Sequence, residues 1–183
     1  MVQEFVDGYP LSYYIVNGKR FGDEEIMEVL SRLLEILSYL HEPDDKGCPV
    51  IHRDLRLSNV FWSENKAHII DFGMARYLRE KVALSERSSD GTVLNIDRHR
   101  PGKETYSLLR DQVSPSSDLF GAGVVALDLF TNWITDDKQL KQPWQDIFPG
   151  SSQLRSFIEQ LLLPEVQFPS ARDALDSLEK IRE

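Results

Sequence analysis

The stretch from Leu119 to Phe130 constrains this chain more than any other part of it. Ser114-Pro115-Ser116-Ser117-Asp118 reads as a helix start, and the residues that follow are apolar on nearly every side of a helical wheel. A helix without a polar face has to be surrounded by protein or by lipid. Its most apolar part, Leu119 to Leu127, is interrupted by glycines and ended by Asp128, which is too short to cross a bilayer. The expectation is a helix at the centre of a folded domain, with other elements packed around it.

Those elements can be read from periodicity. Asp23 precedes a helical pattern in which Ile26, Leu30, Leu33, Leu37 and Leu40 recur at steps of four and three, and Met27, Val29, Leu34 and Ile36 widen the stripe. Glu24 and Glu25 suit the positive end of the helix dipole. Val60-Phe61-Trp62 and Ala67-His68-Ile69-Ile70 are short apolar runs on either side of Ser63-Glu64-Asn65-Lys66, which predicts a small β-hairpin. From about Arg79 to Ser117 the chain is polar with no sustained period, the mark of a long functional or mobile loop. Two amphipathic helices close the sequence. One carries Leu154, Phe157, Ile158, Leu161 and Leu162 and stops at Pro164; the other opens on Ser170-Ala171-Arg172-Asp173, a capping box, and buries Ala174, Leu175, Leu178 and Ile181. The fold class is mainly α with one small hairpin.

Composition narrows the function. A formal charge of −9 opposes non-specific binding to nucleic acid or to an anionic membrane surface. Cys48 is the single cysteine, so no intramolecular disulfide can form, and a reducing compartment is expected. Met1-Val2-Gln3-Glu4 has no basic region followed by an apolar stretch, so no signal peptide is read. The expected location is the cytoplasm.

The chemistry is concentrated in two segments, His52-Arg53-Asp54-Leu55-Arg56-Leu57-Ser58-Asn59 and Asp71-Phe72-Gly73, which flank the hairpin. The first resembles the protein-kinase catalytic loop at every fixed position of H-R-D-L-x-x-x-N, and the second is similar to the family's metal-binding D-F-G. Either alone would be a weak signal; in this order around a hairpin they are a strong one. The resemblance covers nearly the whole chain and implies a protein-kinase-like C-terminal lobe that transfers the γ-phosphate of ATP, with Mg²⁺, to a protein hydroxyl, serine or threonine in preference to tyrosine.

By that resemblance Asp54 would accept or orient the proton of the substrate hydroxyl. Asn59 and Asp71 would offer hard oxygen ligands to Mg²⁺, and Arg56 would contact the transferred phosphate. His52, Phe72 and Gly73 would be structural. Arg53 would bind a phosphorylated residue of the following loop, with Ser88, Ser89 and Thr92 as candidates, or those hydroxyls are simply solvated. Asp118 would hold the catalytic-loop backbone, cap its own helix, or do both. Residues 1–8 are similar to the last N-lobe strand and hinge, with Gln3 as gatekeeper, Glu4 and Val6 as adenine contacts, and Phe61 as the adenine floor. The implied layout is one domain over residues 1–183: hinge at 1–8, catalytic and metal loops within 51–73, an activation or substrate loop at 74–117, and C-terminal helices at 118–183.

The sequence also departs from that family. It shows no glycine-rich phosphate loop, no V-A-I-K-type lysine strand and no helix carrying that lysine's glutamate, so the expectation is a C-lobe whose N-lobe is missing or is supplied by another chain. Pro101-Gly102-Lys103-Glu104-Thr105-Tyr106 stands where A-P-E is usual, and Phe168 precedes Pro169-Ser170-Ala171 where the family has arginine. Both halves of one ion pair are absent together, which avoids a buried unpaired charge and points to an atypical peptide platform. Arg98, His99, Arg100 and Lys103 make the loop locally basic, either as solvated charge or as a site for an acidic group. Two further readings follow: a pseudokinase or truncated regulatory module that binds a protein partner, and a small-molecule kinase. The second is disfavoured because such enzymes tend to carry H-G-D where this chain has His52-Arg53-Asp54.

Overall fold

The computed structural model describes residues 6–42, 48–78, 113–136, 138–163 and 167–182. In chain order the elements are β1 (Tyr9–Pro10), α1 (Leu11–Val16), α2 (Asp23–His41), β2 (Val50–Ile51), β3 (Val60–Ser63), β4 (Lys66–Ile69), β5 (Arg76–Tyr77), α3 (Pro115–Leu129), α4 (Trp144–Ile147), α5 (Ser152–Leu162) and α6 (Ala171–Arg182). Short 3-10 turns at Leu57–Asn59 and Phe72–Met74 interrupt the strand region.

α2 forms where its apolar steps require it. The Glu25 carboxylate reaches back to accept from Gly22 N at 3.1 Å, satisfying one amide that the first turn leaves unpaired. Its buried face runs through Ile26, Val29, Leu30, Leu33, Leu34 and Leu37, and lies against α3 and α6. α3 is buried from Ser117 to Ala126 and again at Leu129, so it is the central helix that its composition predicts. Two glycines allow this crowding. A methyl group on Gly121 would stand 2.8 Å from Leu55 Cβ, and one on Gly123 would stand 2.9 Å from a Leu162 methyl. α3 is therefore in contact with the His52–Asn59 loop on one side and with α5 on another.

α5 buries the five residues its pattern names, Leu154, Phe157, Ile158, Leu161 and Leu162. Ser170 opens α6 with its hydroxyl oxygen accepting from Asp173 N at 3.1 Å, while the Asp173 carboxylate accepts from that hydroxyl at 2.6 Å. α6 buries Ala171, Ala174, Leu175 and Leu178, with Ile181 only partly covered. Phe168 tilts against Phe157 with ring centroids 5.2 Å apart, so an aromatic contact with the core occupies this place.

Two antiparallel sheets are present among the described residues, in the orders β1-β3-β4 and β2-β5. The hairpin β3–β4 pairs Val60 with Ile69 and Phe61 with His68. Its turn is two residues, Glu64 and Asn65, both at positive φ (48° and 61°), a tighter turn than the four residues expected from sequence. The β2–β5 pair sets Val50 opposite Tyr77 and Ile51 opposite Arg76, a second sheet that the sequence did not predict. Among the described residues no helix is long and apolar enough to cross a membrane.

Candidate functional site

The site begins with a buried carboxylate. Asp118 lies in the first turn of α3 and is fully inaccessible to solvent. Its side chain faces the loop and not only its own helix end: Oδ1 accepts from Arg53 N at 2.7 Å, and Oδ2 accepts from His52 N at 2.8 Å. The amides of His52 and Arg53 both turn onto this one carboxylate, and the backbone immediately after them takes φ 70° at Arg53. For a residue with a side chain that conformation costs on the order of 1–3 kcal/mol and persists only when its surroundings enforce it. The bonds to Asp118 just before this torsion, and the bond from Asp54 N to His52 Nδ1 just after it, hold the chain on either side.

His52 connects this anchor to the second segment. Its buried ring donates from Nε2 to Ile70 O at 3.0 Å and accepts at Nδ1 from Asp54 N at 3.3 Å. The ring also meets Phe72 edge to face at 4.8 Å between centroids. Ile70 is held from the other side as well, because its N–H donates to Asn59 O at 2.9 Å. The residue before Asp71 is thereby fixed to both ends of the His52–Asn59 loop.

Within that loop Asp54 is 4% exposed. Its Oδ2 accepts from Asn59 Nδ2 at 3.0 Å and from Arg56 through Nε at 3.1 Å and through Nη2. Asn59 Nδ2 also donates to Asp54 O at 2.9 Å, and its Oδ1 accepts from the Ser58 hydroxyl at 3.4 Å. Asp71 sits at φ 62° and ψ 71°, is exposed, and accepts from Gly73 N at 3.2 Å through Oδ1. An exposed carboxylate and an amide oxygen are hard donors of the kind Mg²⁺ takes together with phosphate and water. The donor chemistry of Asn59 and Asp71 fits that ion. Among the described residues no three His, Cys, Asp or Glu side chains gather into a cage of their own.

The remaining predicted residues are more scattered. Arg53 extends its guanidinium to Met74 O at 3.4 Å. Phe61 lies on β3, half-buried, between Pro10 and His68 in register. Val6 is half-buried ahead of β1. Gln3, Glu4, Ser88, Ser89 and Thr92 lie outside the described residues, as do Arg98 through Tyr106. Two contributors were missed from sequence. His41, the last residue of α2, places Nε2 2.9 Å from Asp118 Oδ2. Gly8, at φ 117°, passes so close to β3 that a methyl group would stand 2.7 Å from Trp62 O. The second could have been suspected, since a glycine just before a tyrosine-rich helix often marks a turn; nothing in the sequence around His41 identifies it.

The fold and the two loops define a helical lobe with a polar, carboxylate-lined site at the edge of its small sheet. Comparison with known proteins assigns the family: residues 1–173 match the protein kinase domain, and the chain belongs to that family. It is 30% identical over 183 residues to serine/threonine-protein kinase F of Synechocystis sp., a match covering 96% of this chain and 35% of that protein. It is 28% identical over 140 residues to the probable serine/threonine-protein kinase PknB of Lactococcus lactis, covering 75% of this chain and 20% of that protein. To CBL-interacting protein kinase 1 of Oryza sativa it is 27% identical over 179 residues, covering 96% and 34%. The chain thus spans about a third or less of the length of these relatives.

Proposed function

We propose that this chain is the substrate-side lobe of a phosphotransferase that moves the γ-phosphoryl group of ATP to a serine or threonine hydroxyl of a protein. The observation that carries the reading is the Asp54 carboxylate, buried yet held by Asn59 and Arg56 in the loop that Ile70 ties to Asp71. Asp54 takes the proton of the attacking hydroxyl and Arg56 offsets charge near the transferred group. Asn59 and Asp71 would hold the metal. Mg²⁺, when bound, neutralises the phosphate oxygens in a reaction where the protein mostly positions groups and balances charge. The serine/threonine choice is supported by the names of two of these relatives, serine/threonine-protein kinase F and the probable serine/threonine-protein kinase PknB.

In this reading residues 1–8 form the hinge, residues 51–73 carry the catalytic and metal loops, residues 74–117 receive the protein substrate, and residues 118–183 support them. The cytoplasm is the proposed site of action. Phe61, half-buried on β3, forms the adenine floor in this reading.

Transfer of radiolabel from ATP to a generic protein substrate tests the reading in the full-length protein. Asp54→Asn and Asp71→Asn should each lower transfer on the order of 100-fold or more. Unchanged transfer in both variants would overturn the proposal.

A further inference from the structure

We infer that Asn132 is a positioning residue: its side-chain amide clamps the far end of α1 to the end of α3 and so steadies the β1–α1 segment along the strand that carries Phe61. Asn132 lies in the 3-10 turn Thr131–Trp133, just after α3. Its Nδ2 donates to Ile15 O at 2.7 Å and to Lys19 O at 2.9 Å, partners 117 and 113 residues away in sequence. An amide nitrogen carries two hydrogens, and both are used here. The main-chain oxygen of Asn132 accepts from Arg20 Nε at 2.9 Å, and Trp133 Nε1 donates to Phe21 O at 2.8 Å. The Arg20 guanidinium also lies over the Trp133 ring, 5.3 Å from its centroid.

α1 needs this outside support. It has six residues, no side-chain cap at Pro10 and no acidic residue in its first turn, so little in its own sequence favours a helix. Its other end closes through Gly18 N on Ile15 O at 3.0 Å and Lys19 N on Tyr14 O at 2.9 Å, with Gly18 at φ 80°. Ile15 O thus accepts from both Gly18 and Asn132, as a carbonyl with two lone pairs can. One side chain holds the last turn of α1 together with the chain that leaves it.

α1 in turn borders the site. Leu11 is buried in the core, the Tyr14 hydroxyl donates to Trp62 O at 3.3 Å, and Pro10 of β1 lies opposite Phe61 in register. α3 therefore reaches the site from both ends, through Asp118 to the His52–Asn59 loop and through Asn132 to α1. Fifteen residues at about 1.5 Å each put roughly 22 Å between the two attachments, so loosening one should leave the other intact.

Hydrogen exchange at the Gly18 and Lys19 amides tests the clamp in the full-length protein without using turnover. Asn132→Ala removes both donors; Asn132→Asp removes them and keeps the shape. In each variant the two amides should exchange about tenfold faster, with amides in the middle of α2 unchanged. Unaltered exchange in the Ala variant, wild-type protection in the Asp variant, or an equal rise throughout α2 would overturn the inference. Should the variants fail to fold, the unmodified protein gives a second measurement. The Asn132 side-chain amide should exchange about tenfold more slowly than that of the exposed Asn65, and equal rates would contradict the clamp.

The consequence for turnover rests on the phosphotransfer reading, in which Phe61 lies under adenine. Asn132→Ala then raises the KM for ATP about fivefold and changes kcat by less than about twofold. A lowered kcat at unchanged KM would mark a purely structural residue and overturn the positioning role. A wild-type protein that transfers no phosphate would sink the phosphotransfer reading, while the exchange result still decides the clamp.

Discussion

Asp118 and Asp71 both accept backbone amides in the same site, yet they are held in opposite ways. Asp118 has no exposure, and its two oxygens take three donors from α2 and from the His52–Asn59 loop. Asp71 is exposed and accepts one amide, from Gly73 two residues away. A buried carboxylate with three donors on its two oxygens and no exposure to solvent is a structural pivot, because little can be removed from it without cost. An exposed carboxylate with a single local bond retains capacity for another ligand. The lobe therefore separates rigidity from reactivity within one residue type, and burial is what makes the difference.

The largest effect should come from attacking the pivot. Asp118→Ala leaves the His52 and Arg53 amides and the His41 ring facing a cavity without an acceptor. Breaking such a buried charged arrangement costs on the order of 3–5 kcal/mol, and in a domain of this size roughly 2–4 °C of Tm are lost per kcal/mol. Calorimetry should show Tm lowered by about 10 °C, where the variant folds at all. A Tm within a degree or two of wild type would mean that Asp118 is no pivot and would erase the contrast with Asp71.

Next in size is the contact beside the pivot. Gly121→Ala would bring a methyl group 2.8 Å from Leu55 Cβ, inside the loop that Asp118 anchors. Alanine gains about 1 kcal/mol of helix propensity over glycine, while overpacking a close contact costs roughly 1–3 kcal/mol. Net destabilisation of about 1 kcal/mol is expected, measured by urea denaturation. A net gain would show that the loop yields at Leu55, and that the anchor on α3 is softer than its hydrogen bonds imply.

How much of this was legible beforehand depends on how each feature is encoded. α2, α5 and α6 could be read because their burial is written in local steps of three and four, and α3 because it lacks a polar face. The β3–β4 hairpin was visible as two apolar runs, although its turn is tighter than the polar spacer suggested. β2 and β5 were not legible: two residues are too few to show alternation, and their pairing depends on the chain closing over the site. α1, six residues long, is likewise shorter than two helical turns. Asp54, Arg56, Asn59 and Asp71 were singled out by the resemblance of their two segments to H-R-D-L-x-x-x-N and D-F-G, and the structure brings Asp54, Arg56 and Asn59 into hydrogen-bond contact. The Asp118 hydrogen bonds span 65 and 66 residues to the loop and 77 to His41, and no local pattern records which long-range donors a carboxylate will meet.

The smallest structural effect, and the sharpest test of the contrast, belongs to Asp71→Asn. Asparagine keeps an oxygen for Gly73 N and is one of the few side chains at ease near φ 62°, so neither the hydrogen bond nor the backbone should suffer. Stability should stay within about 0.5 kcal/mol of wild type, the range for an exposed substitution. What disappears is one negative charge at a donor proposed for Mg²⁺. Calorimetric titration of ATP with and without Mg²⁺ should therefore show the metal's enhancement of binding reduced while Tm stands still. If Asp71→Asn instead lowered Tm as Asp118→Ala does, exposure would be a poor guide to role here, and Asp71 would have to be counted with the scaffold.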